Sequence, residues 1–233
     1  MLRKTTTILL LSLISINLWA AKPRNNYVQF RTEFGVFIIK LYNETPLHRD
    51  NFLKLVKDDF YDDLLFHRVI EQFMIQGGDP DSRNAAPGAR LGEGSLDYTI
   101  DAEFRDSLFH KKGALAAARD NNPEKASSAS QFYIVHGKTF TDEELDRLEE
   151  NRLEGRKIPD FQRAVYKTLG GVPHLDQNYT VFGEVVEGIE IIDQIAALPT
   201  DDFDRPMVDQ KMELNVLRRG EVRRLERKLK GSQ

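Results

Sequence analysis

FHRVIEQFMIQGGD, residues 66–79, is the stretch of the chain that decides the fold. Apolar residues flank Glu71-Gln72 on both sides, with Val69 and Ile70 before the pair and Phe73, Met74 and Ile75 after it, a pattern that predicts two short β-strands joined by a turn. The Gly77-Gly78 pair ends the second strand. Arg68 then projects from a strand, which holds a guanidinium group more firmly than a loop does.

These fourteen residues resemble the signature of the cyclophilins, a family of peptidyl-prolyl cis/trans isomerases. Without the resemblance, Arg68 and Gln76 would be interpreted as surface residues of a half-buried strand. With it, Arg68 is predicted to be catalytic, and Phe73, Met74 and Gln76 are predicted to bind the substrate. The resemblance extends over about residues 27–217.

The residue types suit this chemistry. Rotation about an X-Pro bond faces a barrier of about 18–20 kcal/mol because the nitrogen lone pair is delocalised into the carbonyl group. A site lowers the barrier by excluding water from the amide, binding the proline ring and donating a hydrogen bond to the nitrogen as the bond twists. Arginine keeps its donors at physiological pH, and a preorganised charged donor supplies about 3–4 kcal/mol. We therefore expect no cofactor and no metal.

Two further segments resemble the family. Residues 113–119, GALAAAR, match a strand whose end meets the substrate backbone, which makes Ala118 and Arg119 predicted substrate contacts. On helix propensity alone, a short alanine-rich helix is a reasonable alternative for the same segment.

The second segment is SQFYIV, residues 130–135, in which strand alternation puts Gln131 and Tyr133 on one face. The resemblance implies that Gln131 contacts the substrate and that Tyr133 forms a wall of the proline pocket. The alternative is that both residues simply line a barrel.

Residues 137–171 interrupt the resemblance and are predicted to form a helical insertion. Thr141 and Glu144 have the spacing of a capping box, and Gly155 suits the end of that helix. A second helix is expected over about residues 160–169. Its predicted buried face consists of Phe161, Val165 and Leu169.

The resemblance resumes at His174, and it implies that Leu175 closes the proline pocket. His174 and Tyr179 occupy positions that are tryptophan and histidine in many eukaryotic cyclophilins, and both are predicted to contact the substrate. A metal site is the alternative use for histidine. His67, His110, His136 and His174 lack the i, i+3 or i, i+4 pairing typical of helical metal ligands, so ordinary histidines are favoured.

Elements at both sides of these segments complete the predicted domain. Thr45-Pro46 is a strong helix start, and His48 is predicted on the outer face of that helix without a function. Residues 207–217 are expected to form the final strand. Residues 218–233 are predicted to form a basic helix that packs weakly on the domain, with an anionic-membrane anchor as the alternative.

The first 21 residues resemble a secretory signal peptide, with Arg3-Lys4 before a short apolar run and Ala20-Ala21 after it. The run is about half the roughly 20 residues that a spanning helix needs, which disfavours the alternative of a retained anchor. We expect cleavage after Ala20 or Ala21 and export, in a bacterium to the periplasm. The chain has no cysteine, so disulfides, thiolate nucleophiles and zinc-cysteine sites are excluded.

The net charge of the 233-residue chain is −4, from 33 basic and 37 acidic residues, and loss of Arg3 and Lys4 makes it −6. This balance argues against nucleic-acid binding by the domain as a whole. We expect a monomer without a membrane span after cleavage. Residues 22–217 are predicted to form one mainly β domain, a closed eight-stranded antiparallel barrel capped by two helices.

The predicted activity is isomerisation of X-Pro bonds in unfolded or loop segments of exported proteins. Two alternatives remain from the sequence. One is a chaperone or peptide-binding module that uses the same groove without turnover, and the other is an interaction protein whose insertion docks a partner. Arg68 favours the isomerase, because binding alone does not require it.

Overall fold

The computed structural model describes residues 24–231, so the predicted signal peptide lies outside the described residues. The strands are β1 Asn26–Thr32, β2 Gly35–Leu41, β3 Phe66–Ile70, β4 Met74–Gly77, β5 Thr99–Ile100, β6 Ala114–Ala117, β7 Ser127–Ser128, β8 Phe132–Val135, β9 Val181–Glu187 and β10 Glu213–Val216. The helices are α1 Pro46–Lys57, α2 Asp142–Asn151, α3 Asp160–Thr168, α4 Ile189–Ala196 and α5 Arg219–Gly231. Short 3-10 turns occupy Pro80–Ser82 and Pro173–Leu175.

Eight strands form one curled antiparallel sheet in the order β10-β1-β2-β9-β6-β8-β4-β3, which confirms the mainly β fold and the strand number. A closed barrel requires strand pairing that continues all the way around the sheet. Here β3 and β10 do not pair with each other as strands, so the sheet is curled but the predicted closure is not observed. Its edge strands, β3 and β10, are linked instead by the loops beside them. Leu65 forms an isolated bridge with Lys211, and the amide of Met212 donates to the Leu64 carbonyl at 3.0 Å.

The main core lies inside the curl of the sheet. Alternating strand residues point into it, as the period of two dictates, and the rings of Phe30, Phe52 and Phe66 meet Phe132 edge to face. Helices α1 and α4 pack against this core with Phe52 and Ile192. Burying a side chain of this size contributes about 1.5–3 kcal/mol, so the two helices are held to the sheet.

The start of α1 is stabilised from a distant loop. Thr45 makes no side-chain cap, and Glu103 instead accepts hydrogen bonds from the amides of Leu47 and His48 at 3.1 and 3.0 Å. The His48 ring lies between Glu103 at 2.8 Å and Ser127 at 2.9 Å and is buried. The prediction that His48 lies on an outer face is therefore wrong. A carboxylate suits this place because the helix N-terminus carries positive partial charge.

The insertion contains the two predicted helices, and the capping box of Thr141 and Glu144 is present. Helix α2 ends at Asn151, before the predicted Gly155, and the Leu148 carbonyl accepts from the amides of both Arg152 and Leu153. Gly155 has a φ of +81°, and its amide donates to the Glu149 carbonyl at 3.0 Å. The predicted buried face of α3 is wrong for two of its three residues. Phe161 and Leu169 are 53% and 47% exposed, and Val165 is partly buried. The inward residues are Gln162 and Tyr166.

The C-terminal part also differs from the prediction. The last strand is only β10, because residues 201–209 form turns in which Arg205 pairs with Asp209 at 2.7 Å. Helix α5 forms as expected and buries Leu225. Its Glu226 accepts hydrogen bonds from Asn25 at 2.8 Å and from the Tyr27 hydroxyl at 3.4 Å, which ties the helix to the start of β1. None of the helices in residues 24–231 combines the length and the apolar character that crossing a bilayer requires.

Candidate active site

A pocket of about 180 Å³ opens on the side of the sheet where β3, β4, β6 and β8 meet the loop after β8, and we call it the central pocket. It is lined by Arg68, Phe73, Met74, Gln76, Ala118, Arg119, Tyr133, Leu175 and Tyr179. These are nine of the eleven residues predicted for the site. The other two, Gln131 and His174, lie beside it in the neighbouring depressions.

Arg68 reaches the pocket from the middle of β3, where it pairs with Gln76 of β4. Its Nε–H donates to the Asp204 carboxylate at 3.2 Å, and its side chain is 42% exposed. The remaining guanidinium donors make no hydrogen bond to another described residue. Asp204 itself is held because its carbonyl accepts from the amide of Val69 at 2.8 Å. The arginine is thus anchored on one side and keeps donors for a ligand.

Gln76 and Gln131 form a second polar edge. Gln76 donates from Nε2 to Oε1 of Gln131 at 3.0 Å, and Gln131 donates from its own amide to the carbonyls of Gly92 and Gly94. Gln131 is therefore fixed from three sides and lines the adjoining cleft. Its position orients Gln76 toward the central pocket.

The two residues that follow β6, Ala118 and Arg119, differ in whether their backbone groups are already hydrogen-bonded. The Ala118 amide donates to the Gln131 carbonyl at 2.9 Å, and the Ala118 carbonyl accepts from Ser128 at 2.8 Å. The main-chain groups of Arg119 make no hydrogen bond to another described residue. The backbone available to a peptide is therefore that of Arg119, while Ala118 contributes a side chain small enough for close approach.

Arg119 also contacts and stabilises the aromatic wall that Tyr179 and Tyr133 form. Its guanidinium lies 4.8 Å from the centre of the Tyr179 ring, and its Nε–H donates to the Asn178 carbonyl at 2.8 Å. Tyr179 meets Tyr133 edge to face at 5.9 Å. This arrangement gives the pocket an aromatic wall held by a cation–π contact.

A buried polar network lies behind Tyr133. His110 contacts the Tyr133 hydroxyl through Nε2 at 2.9 Å and Asp176 through Nδ1 at 2.8 Å, and the Tyr166 hydroxyl donates to Asp176 at 2.7 Å. With the carboxylate accepting from Nδ1–H, Nε2 is left to accept from the Tyr133 hydroxyl. Burial, foremost, and the nearby Tyr179 and Asp176 raise the pKa of Tyr133, which keeps the phenol neutral.

Sequence reasoning missed this network. Its members are 10 to 66 residues apart along the chain, and no local motif joins them. The only available signal was a tyrosine in place of an apolar residue in the predicted pocket wall, since a buried hydroxyl needs a partner.

His174 forms the rim between the central pocket and the next depression. Its ring stacks on Phe73 with centroids 6.1 Å apart and planes 12° apart. Burial, followed by the positive charge of Arg152, lowers the pKa of His174. The ring is therefore neutral at physiological pH and acts as an aromatic surface with a hydrogen-bonding edge.

His67 points away from the pocket beside Arg68 and is buried. Neither of its ring nitrogens has a well-formed hydrogen bond with a described residue. Burial lowers the pKa of His67 to about 4, although the Asp79 carboxylate acts in the opposite direction. Within residues 24–231, no group of three or more histidine, cysteine or acidic residues is placed to hold a metal ion.

Gly78 shows why the site-forming stretch ends in glycines. Its φ is +89°, and a Cβ at this position would run into the carbonyl group of Ser130. Only glycine allows β4 to turn away here while staying against the start of β8.

The family model for the cyclophilin-type peptidyl-prolyl cis-trans isomerases matches residues 27–216. The chain belongs to this family. One relative is a Staphylococcus aureus (strain USA300) protein that is named as a peptidyl-prolyl cis-trans isomerase. It is 34% identical over 187 residues, which are 80% of this chain and 88% of the relative.

A Streptococcus pyogenes relative is named as a bifunctional phosphatase/peptidyl-prolyl cis-trans isomerase and is 34% identical over 185 residues. The match covers 78% of this chain and 36% of that relative, so the chain spans about a third of its length. Among solved structures, a Cryptosporidium parvum cyclophilin has a TM-score of 0.61 and 21% identity, covering 84% of this chain and 99% of that one. This structural likeness shows the shared fold.

Proposed function

We propose that this cyclophilin isomerises X-Pro bonds in exported proteins during folding, and that Arg68 stabilises the twisted amide. The observation that carries the proposal is the placement of the Arg68 donors at the mouth of the central pocket. A second structure of the Cryptosporidium parvum cyclophilin, determined in the presence of the dipeptide Ala-Pro, supports a proline-containing ligand.

The proline ring enters the central pocket against Phe73, Met74, Tyr133 and Leu175, and Tyr179 closes the wall. This apolar lining removes water from the ring and the amide, which strengthens any hydrogen bond made there. The Arg119 backbone and the Gln76 amide bind the substrate main chain. The two ends of the amide are thereby held while its central bond is free to rotate.

Arg68 acts on the rotating bond. As the bond twists, the nitrogen becomes pyramidal and its lone pair becomes available to a donor, and the free guanidinium N–H groups lie beside the pocket to supply it. Asp204 anchors the guanidinium so that little reorganisation is needed. In this proposal, the loop before β10 completes the barrel between β10 and β3 and carries Asp204 to Arg68. No proton is transferred and no covalent intermediate forms.

The alternative, a peptide-binding module without turnover, uses the same pocket. The two are separated by a protease-coupled assay on a short X-Pro peptide with the purified protein, in the absence of metal and nucleotide. Acceleration of cis-to-trans conversion supports the isomerase. Binding of the peptide without acceleration supports the module.

Export to the periplasm, as a monomer that binds no nucleic acid, is part of the same proposal and rests on the signal-like first 21 residues and the acidic mature chain. Expression of the full chain in a Gram-negative bacterium should yield a periplasmic product that begins near Ala21 or Lys22. Recovery of an uncleaved cytoplasmic chain contradicts export.

A further inference from the structure

A groove of about 560 Å³ lies between the insertion and the central pocket, and we call it the insertion groove. Phe140, Leu148 and Val172 provide its apolar surface, and Phe73 and His174 form the side that faces the central pocket. Its charged residues are Lys138, Glu144, Arg147 and Arg152. Helix α2 supplies most of the outer wall, so the groove depends on the insertion.

The insertion groove continues the peptide path of the central pocket. Phe73 lines both the insertion groove and the central pocket. Its ring stacks on His174, and these two side chains separate the two depressions. The central pocket also shares Gln76 and Arg119 with the cleft that contains Gln131, and that cleft has no lining residue in common with the insertion groove. The three depressions therefore follow one another. An extended chain advances about 3.3 Å per residue, so residues a few positions from a bound proline lie over the insertion groove.

The charge of the insertion groove is unbalanced. Lys138 pairs with Glu144 at 3.3 Å, and these two charges offset each other. Arg147 and Arg152 make no side-chain hydrogen bond or ion pair with another described residue. Two guanidinium groups therefore face a groove whose one acidic residue is already paired. Arginine binds carboxylates through two parallel hydrogen bonds, which makes an acidic side chain the complementary ligand.

We propose that the insertion groove is an extended subsite for the substrate chain and that it selects segments with Asp or Glu two to four residues from the proline. This inference rests on the proposed isomerase function and names the class of substrate. The apolar surface from Phe140 to Val172 accommodates the stems of the acidic side chains, and Arg147 and Arg152 bind their carboxylates. Selection acts on substrates long enough to reach α2.

The test uses four eight-residue peptides with one central proline. Two adjacent residues are Glu-Glu or Gln-Gln, placed two and three positions either before or after the proline. NMR exchange measurements give kcat/KM for each peptide. On one side of the proline, we expect the Glu peptide to be isomerised about fivefold more efficiently than its Gln counterpart, as suits two exposed ion pairs. On the other side, the two rates should agree.

Arg147→Gln combined with Arg152→Gln should bring the Glu/Gln ratio to about one. The matched control is Arg224→Gln combined with Arg227→Gln, which removes the same charge from α5 and should keep the wild-type ratio. If the control variant loses the Glu preference equally, or if wild type prefers Glu on both sides of the proline, the preference arises from the overall electrostatic field of the protein. Either result overturns the subsite. Equal rates for Glu and Gln peptides in the wild type overturn the subsite alone. Failure to isomerise any of the four peptides overturns the proposed function itself.

Discussion

At the scale of single residues, the ion pair of Arg68 and Asp204 is the contact that most directly bears on activity. Asp204 holds Nε at 3.2 Å, and the remaining donors face the central pocket. Asp204→Asn keeps the side-chain shape and tolerates the residue's φ of +62°, since asparagine adopts this conformation readily. It removes the charge that anchors the guanidinium.

We expect Asp204→Asn to lower kcat by about threefold with a smaller change in KM, because an exposed ion pair is worth about 0.2–1 kcal/mol. The protease-coupled assay measures both constants. The matched control is Asp202→Asn, two residues away and exposed, which should keep wild-type kinetics. Unchanged kcat in Asp204→Asn would show that the anchor is not needed.

The sequence predicted the residues of the central pocket better than their partners. Phe73, Met74 and Gln76 follow one another along one short segment, so a local motif identifies them together. Asp204 lies 136 residues from Arg68, and nothing near either residue signals the pair. Partners joined only by folding are not visible to local patterns.

At the scale of elements, the link between α3 and the pocket wall can be tested at Tyr166. Its hydroxyl donates to the buried Asp176 at 2.7 Å, and Asp176 also holds His110. Hydrogen bonds to charged groups contribute about 1.5–3 kcal/mol, and a buried carboxylate oxygen left unpaired is costly. Tyr166→Phe should therefore lower the free energy of unfolding by about 1.5–3 kcal/mol.

Urea denaturation measures this loss, with Tyr98→Phe as the control. Tyr98 donates to Asn51 at 2.7 Å on the exposed surface, so its loss should cost less than about 1 kcal/mol. If the two variants are destabilised equally, the buried network does not carry the energy assigned to it.

Helix α3 also shows where pattern reasoning fails for elements. Its existence and approximate ends were predicted, since the expected range of about residues 160–169 agrees with Asp160–Thr168. Its inward face was not, because Gln162 and Tyr166 are buried with polar partners, Gln162 donating to the Asp106 carbonyl at 2.9 Å. A hydrophobicity pattern assigns polar residues to the surface, and it therefore misplaces a face whose polar side chains donate to distant acceptors, the Asp106 carbonyl for Gln162 and the Asp176 carboxylate for Tyr166.

At the scale of the whole molecule, stability should depend on pH through His67. Its pKa falls from 6.5 in the unfolded chain to about 4 in the folded protein, mainly through burial. Well above pH 6.5 the ring is neutral in both states. As the pH falls from 6.5 to about 4, the unfolded chain takes up the proton first, and the fold loses about 3 kcal/mol.

We expect His67→Phe to remove this part of the pH dependence, since an apolar ring suits a site where the histidine makes no well-formed hydrogen bond. Free energies of unfolding measured at several values between pH 7 and 4 give the difference between wild type and variant. That difference isolates His67, because His48, His136 and His174 are present in both proteins. Parallel curves for the two proteins would contradict the lowered pKa.

The fold as a whole brings together a donor on β3, an apolar pocket between β4 and β8, and an anchor from the loop before β10. In the proposed mechanism, these parts act on a twisting amide through Arg68. Removing the guanidinium removes a preorganised donor worth about 3–4 kcal/mol, or roughly two to three orders of magnitude in rate.

The most direct measurement is the rate of cis-to-trans conversion of a short X-Pro peptide by wild type and Arg68→Ala, with circular dichroism to verify that the variant is folded. We expect Arg68→Ala to lower kcat/KM at least about a hundredfold. A folded Arg68→Ala variant with wild-type turnover would contradict the proposed mechanism.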